Sequence, residues 1–257
     1  MGIVNVTPDS FSDGGQFASA QQAIDHARSL VAAGADLLDI GGESTRPQAQ
    51  PVNEEEELHR VLPVVQGLLD AGVPLSIDTR RPRVMQEAIL LGVDLLNDVN
   101  GFRDPAAFEV AVNSGCGLCI MHMQGSPQTM QTDPHYQDVV KEVSDVLLDQ
   151  KNRFIARGVD ARRILIDPGF GFGKTLEHNL ALMSAISGLA AAHPVLVGVS
   201  RKSMIGAITG QKDPAARVAG SLAAALWAAS QGAQMLRVHD VKATVDALRV
   251  WRCLGKA

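Results

Sequence analysis

Short apolar or β-branched runs alternate with longer amphipathic stretches from one end of this chain to the other. The runs fall at residues 1–6, 36–40, 74–78, 94–99, 118–122, 164–167, 195–200 and 235–239. Between them, as at 20–33, 54–71 and 136–157, apolar positions recur every three or four residues, which predicts helices with one buried stripe. Gly34, Gly72, Gly92, Gly115, Gly158 and Gly232 stand where each helix should stop, a position that favours a left-handed residue without a Cβ. Strand, helix, glycine and strand again is the rhythm of parallel βαβ units. Eight such units predict an α/β fold closed into a (β/α)8 TIM barrel, and no linker or low-complexity tract divides the 257 residues, so 1–257 reads as a single domain. The acidic run Glu54–Glu57 opens a predicted helix, where negative charge suits the dipole. The alanine-rich stretch 219–230 predicts a closely packed helix suited to a subunit interface.

A doubly wound open sheet is the alternative arrangement of such units. It would usually carry G-x-G-x-x-G after the first strand, where this chain has Asn5-Val6-Thr7-Pro8-Asp9-Ser10-Phe11. The alternating glycines of 169–173 follow the sixth run and have the wrong spacing.

Strands buried on both faces should be apolar, so their polar residues need a reason. They gather at the C-terminal ends: Asn5 and Thr7, Asp39, Asp78, Asn97 and Asp98, His122, Asp167, Ser200 to Lys202, then Arg237, His239 and Asp240. In a barrel these ends surround one cavity. Residues two apart share a strand face, so Arg237 and His239 point together, whereas only one of Asn97 and Asp98 can face inward. Asp9, Asp98 and Asp240 have an equal claim to structural roles, as caps or partners of nearby cations.

Composition narrows the chemistry. A net charge of −5 and 4% aromatic residues argue against a nucleic-acid partner. No apolar run reaches membrane-spanning length and no signal peptide opens the chain, so the expectation is a cytoplasmic protein without a membrane. Three cysteines suit a reducing compartment, and Cys116 and Cys119 read as buried apolar residues, not as a redox pair or zinc ligands. Ser200-Arg201-Lys202-Ser203, opening a helix after the seventh strand, and Arg237-Val238-His239 on the eighth predict an anion site, the place where barrels often hold phosphate. Asp78, Asn97 and Asp167 offer acceptors and donors for the edge of a nitrogen heterocycle. The absence of a closely spaced His pair argues against zinc, while Mg²⁺ held by one oxygen ligand and a substrate phosphate fits the donor set. His26, His59, His135, His178 and His193 read as surface or capping residues.

The segments 1–15, Asp39-Ile40-Gly41-Gly42-Glu43-Ser44-Thr45-Arg46-Pro47, Ser76-Ile77-Asp78-Thr79, Leu96-Asn97-Asp98-Val99, Met121-His122-Met123-Gln124-Gly125, 167–174, Ser200-Arg201-Lys202-Ser203 and Arg237-Val238-His239-Asp240 resemble, in order, the signatures of the dihydropteroate synthases. The resemblance spans essentially the whole chain. It implies an enzyme of folate synthesis that joins p-aminobenzoate to (7,8-dihydropterin-6-yl)methyl diphosphate, releasing diphosphate and 7,8-dihydropteroate. It also implies a homodimer through the later helices. Carried over residue by residue, Asp78, Asn97, Asp167 and Lys202 match the pterin pocket, and Asp78, Asp167 and Lys202 the residues of catalysis. Asn5 matches the Mg²⁺ ligand, and Thr45, Arg237 and His239 the diphosphate contacts. Phe11, Arg46, Pro47, Phe172 and Ser203 match the neighbours of p-aminobenzoate. Two departures are Gln48, where members often have Gly, and an opening directly on the first strand, where members usually carry a preceding segment. A pterin-dependent methyltransferase and a non-catalytic pterin-binding barrel are the rival readings. The former would need no diphosphate site, and the latter should have lost site residues.

Overall fold

The computed structural model describes residues 1–6, 15–44 and 52–255. Its strands are β1 (Gly2–Asn5), β2 (Leu38–Gly41), β3 (Leu75–Asp78), β4 (Leu95–Asp98), β5 (Gly117–Met121), β6 (Ile164–Asp167), β7 (Leu196–Val197) and β8 (Met235–Leu236). β1 to β6 pair side by side in chain order, and β7 pairs with β8, all parallel. Single bridges from Ile166 to Val195 and from Gly2 to Val238 join the two groups at both seams. At the second seam the Ile3 N–H donates to the Val238 carbonyl at 3.1 Å, and the Val238 N–H to the Met1 carbonyl at 3.0 Å. The ring is thus closed, as the eightfold rhythm predicts.

Ten helices are described: α1 (Gly15–Ala32), α2 (Glu54–Gln66), α3 (Pro82–Leu91), α4 (Pro105–Asn113), α5 (Val139–Ala156), α6 (Leu176–Ser184), α7 (Ile186–Ala192), α8 (Ser203–Thr209), α9 (Val218–Ser230) and α10 (Val241–Leu254). Of these, α2, α4, α5 and α6 start on side-chain oxygen caps. Asn53 accepts from the Glu56 N–H ahead of α2, Asp104 from the Ala106 and Ala107 N–H groups ahead of α4, and Thr175 shares a capping box with His178 ahead of α6. Five of the six glycine stops adopt the left-handed conformation. Gly115 does not: α4 ends one residue earlier, on extended Ser114, whose hydroxyl donates to the Ala111 carbonyl. α2 stops at Gln66, short of the expected 71, and Leu68 buries itself in the core from the turn that follows.

The two faces of each strand bury different things. Outward residues such as Val4, Leu38, Ile40, Ile77, Leu96, Leu118, Ile120 and Ile166 pack with the helices in one large core. Inside the ring, Met1, Leu95, Cys119 and Leu196 form a separate apolar cluster with Leu37, Leu165 and Met235 against it. One step further along each strand, the inward positions are Asp39, Ser76, Asn97, Asp167 and Arg237. An apolar floor therefore supports a polar layer at the end of the barrel where the strands finish.

Candidate active site

Arg237 of β8's C-terminal end is the hub of the polar layer. Its Nε donates to Asp39 Oδ2 at 2.6 Å and its Nη2 to Asp78 Oδ2 at 2.7 Å. Asp39 is fully buried and also accepts from Ser76 Oγ at 2.5 Å and from Asn97 Nδ2 at 3.1 Å. Four strands are cross-linked by this set, and every buried charge in it has a partner, as burial demands. Arg237 keeps its charge firmly: burial opposes it, but Asp39 and Asp78 push its pKa up. Asp78 is raised to about 7 by burial, against the pull of Arg237 and with the help of Asp39.

Asp167, at the end of β6, is buried and accepts from the Gly169 N–H at 2.7 Å. Burial raises its carboxyl, while Lys202, Arg237 and Lys174 lower it. Lys202 stands between β7 and α8. Its ammonium donates to the Phe170 carbonyl and lies 4.4 Å from the centre of the Phe172 ring, a cation–π distance. Burial pulls Lys202 down to about 8, opposed by Asp167. Ser203 is the first residue of α8. His239 Nδ1 lies 3.1 Å from Ser200 Oγ, and its N–H donates to the same oxygen, so the ends of β7 and β8 are tied together.

Asn5, Asp78, Asn97, Asp167, Lys202, Ser203, Phe172, Arg237 and His239 thus all lie at the strand ends or in the loops directly after them. Phe11, Thr45, Arg46 and Pro47 fall outside the described residues. Asn97 takes the inward position, and Asp98 turns to its own loop, accepting from the Asn100 and Phe102 N–H groups at 2.7 and 2.8 Å. Arg201 is not one of the cations facing the mouth. Its guanidinium is held in a two-bond pair by Asp240, at 2.9 and 2.6 Å, and its backbone is left-handed with φ 59°. Asp240 is thereby explained as a cation partner and makes no side-chain cap to α10.

Asp39 is the residue that sequence reasoning underrated. An Asp inside the apolar run 36–40 was its signal, but its main partner lies 198 residues away. Lys174 is a second such residue: buried, its ammonium lies 3.0 Å from His122 Nδ1 and donates to the Phe172 carbonyl at 3.0 Å. Among the described residues no three His, Cys, Asp or Glu side chains are grouped to hold a metal ion. Asn5 offers one amide oxygen at the end of β1, a donor set that suits Mg²⁺ only if phosphate and water complete it. Cys116 and Cys119 are buried and unpaired, with Cys116 donating to the Val93 carbonyl, in keeping with the apolar reading.

A closed barrel whose mouth gathers two lysines, an arginine and ionisable carboxylates over an apolar floor belongs to the class of barrel enzymes that hold small polar or anionic molecules. Residues 1–239 match the family of pterin-binding enzymes. A dihydropteroate synthase of Neisseria meningitidis serogroup C is 54% identical over 260 residues, covering 99% of this chain and 92% of the relative. A Xanthomonas albilineans dihydropteroate synthase, solved with 4-aminobenzoic acid, superposes with a TM-score of 0.94 at 49% identity, covering 100% of this chain and 93% of that one. A Burkholderia cenocepacia dihydropteroate synthase, solved with 7,8-dihydropteroate, gives 0.91 at 50% identity, with 100% and 91% covered. The chain belongs to the pterin-binding enzymes and, among them, to the dihydropteroate synthase family.

Proposed function

We propose that the barrel mouth joins p-aminobenzoate to the 6-methylene carbon of (7,8-dihydropterin-6-yl)methyl diphosphate. The observation that carries this reading is the buried layer in which Asp39 and Asp78 fix Arg237 while Asn97 and Asp167 hold inward positions at the ends of β4 and β6. A pterin edge presents both N–H donors and ring-nitrogen and carbonyl acceptors. Asp167 and Asp78 accept from such N–H groups, and the Asn97 amide serves either partner. Lys202 covers the ring from the β7 side.

In the reaction the C–O bond to diphosphate breaks, and its electron pair leaves with the oxygen. The N–C bond forms from the amine lone pair, and the amine then loses a proton to solvent or diphosphate. Charge develops on the leaving group, so preorganised donors there lower the barrier. Arg237 Nη1, which carries no hydrogen bond among the described residues, and His239 face that task from β8, with Thr45 as a third contact. Mg²⁺ held by Asn5 would neutralise phosphate charge. Phe172, Ser203, Phe11, Arg46 and Pro47 form the p-aminobenzoate side. The methyltransferase rival needs no diphosphate site, the task this reading gives to Arg237 and His239.

We infer further that 1–257 folds as one domain, works in the cytoplasm and pairs as a homodimer. The exposed apolar face of α9 and α10, with Trp227 half exposed and Val250 and Leu254 more so, supports pairing. No described helix is long and apolar enough to cross a membrane. The test is diphosphate release from the dihydropterin diphosphate with Mg²⁺, with and without p-aminobenzoate. Release coupled to dihydropteroate formation is expected, and Asp167→Asn should abolish it. Unchanged turnover in Asp167→Asn would remove that residue from the reaction, and pterin binding without release would favour the non-catalytic reading.

A further inference from the structure

The loop after β6 crosses the end of β5 on three left-handed glycines, Gly169, Gly171 and Gly173. Gly169 passes so close that a Cβ would stand 1.9 Å from the His122 carbonyl oxygen. Lys174 closes this crossing. Only 3% exposed, its ammonium meets three acceptors: His122 Nδ1 at 3.0 Å, the Phe172 carbonyl at 3.0 Å and the His122 carbonyl at 3.4 Å. Three N–H donors therefore have three acceptors, the full complement of an ammonium. His122 accepts at Nδ1 and is neutral, its pKa pulled down to about 3 by burial and by the neighbouring charges of Lys174 and Arg103. From the β7 side, Lys202 holds the same loop by the Phe170 carbonyl and the Phe172 ring.

We propose that Lys174 is a positioning residue for the reaction: it fixes the loop bearing Phe172 and, as a third cation acting on Asp167 beside Lys202 and Arg237, helps that carboxylate meet the pterin ring as an anion. This rests on the reading of Asp167 as a pterin contact. The charges facing Asp167 are Lys202 from the loop after β7, Arg237 from β8 and Lys174 from its own loop; the Cys119 thiol faces it from β5 and is neutral, burial pushing its pKa well above 9. Burial and repulsion from Lys202 pull Lys174 down to about 7, against the attraction of Asp167. Its charge is therefore present in the acid range, where Asp167 would otherwise take up a proton.

The experiment measures binding of the pterin diphosphate to the whole chain by calorimetry from pH 5 to 8.5, together with KM for p-aminobenzoate. In Lys174→Met the acid limb of pterin binding should move up by about 1 pH unit, the size expected from losing one nearby opposite charge. KM for p-aminobenzoate should rise roughly tenfold as Phe172 loses its hold. Lys174→Arg keeps the charge and should leave the acid limb in place. His122→Ala, which removes one acceptor and keeps the charge, serves if Lys174→Met does not fold: KM should rise with no movement of the limb. A limb that stays put in Lys174→Met, or moves equally in Lys174→Arg, overturns the role, as does an unchanged KM in His122→Ala. Wild-type chain that binds no pterin at any pH sinks the pterin reading and this proposal together. Normal wild-type binding with indifferent variants sinks this proposal alone.

Discussion

Replacing Asp39 by Asn removes one charge from the polar layer and almost no volume. Three donors converge on the carboxylate: Ser76 Oγ on one oxygen, and Arg237 Nε and Asn97 Nδ2 on the other. An Asn can keep its oxygen toward Arg237 and Asn97 and turn its NH₂ toward Ser76, whose hydroxyl then accepts. Shape and hydrogen-bond count survive, so the experiment isolates charge. Asp39 is fully buried and the Arg237 side chain is 21% exposed, so solvent screens the pair little. Removing one partner of a buried pair costs about 3–5 kcal/mol, and the surviving bond to Asp78 sets the expectation at the lower end, about 3 kcal/mol. For a chain of this size that lowers Tm by about 6–12 °C. A second effect has a definite sign. Asp39 helps to raise the Asp78 carboxyl, so in Asp39→Asn the Asp78 pKa should fall from about 7, and the acid limb of kcat/KM should move down. Urea titration, thermal melting and a pH–rate profile measure all three. A stability change under 1 kcal/mol with an unmoved acid limb would refute the claim that Asp39 anchors Arg237 electrostatically.

Two further outcomes follow from the titrating groups. Burial pulls Lys202 down to about 8, so kcat/KM should fall as pH rises through 8, and Lys202→Ala should lose diphosphate release at every pH. Asp98 is raised to about 7, chiefly by burial and despite its two backbone hydrogen bonds. A raised folded-state pKa means that its contribution to stability is fully present below the ordinary carboxylate value and is lost as pH rises through 7. Urea midpoints taken between pH 4 and 8 should therefore decline in this component, and Asp98→Asn should flatten the decline.

Local rules made much of this molecule legible. The β6 span 164–167 matches the observed strand, and five of six glycine stops are left-handed, because these features depend on period and on steric freedom at one residue. The two-residue period showed that only one of Asn97 and Asp98 could face inward, and the hydrogen bonds of Asn97 to Asp39 and of Asp98 to its own loop show that it is Asn97. Pairings across the barrel could not be read this way. Arg201 looks like an anion ligand in sequence, yet it is committed to Asp240, 39 residues further on. Asp39 and Lys174 gain their meaning only from partners on other strands, and no local pattern encodes which strand end a side chain will face. Gly115 failed because Ser114 ends α4 through its own hydroxyl, a cap that competes with the glycine stop.

The clamp on the loop after β6 has a consequence for how this barrel can change over generations. Lys174 and Lys202 take hold of it through the carbonyls of Phe172 and Phe170, Tyr136 reaches the carbonyl of Gly173, and Asn179 accepts from the N–H of Gly171. Main-chain atoms are the same whatever residue carries them. The main-chain part of the hold therefore survives a change of side chain at 170 or 172, so selection at Phe170 answers to its burial in the core and at Phe172 to its ring contact with Lys202, while the constraint from the crossing itself falls on the three glycines and the two lysines.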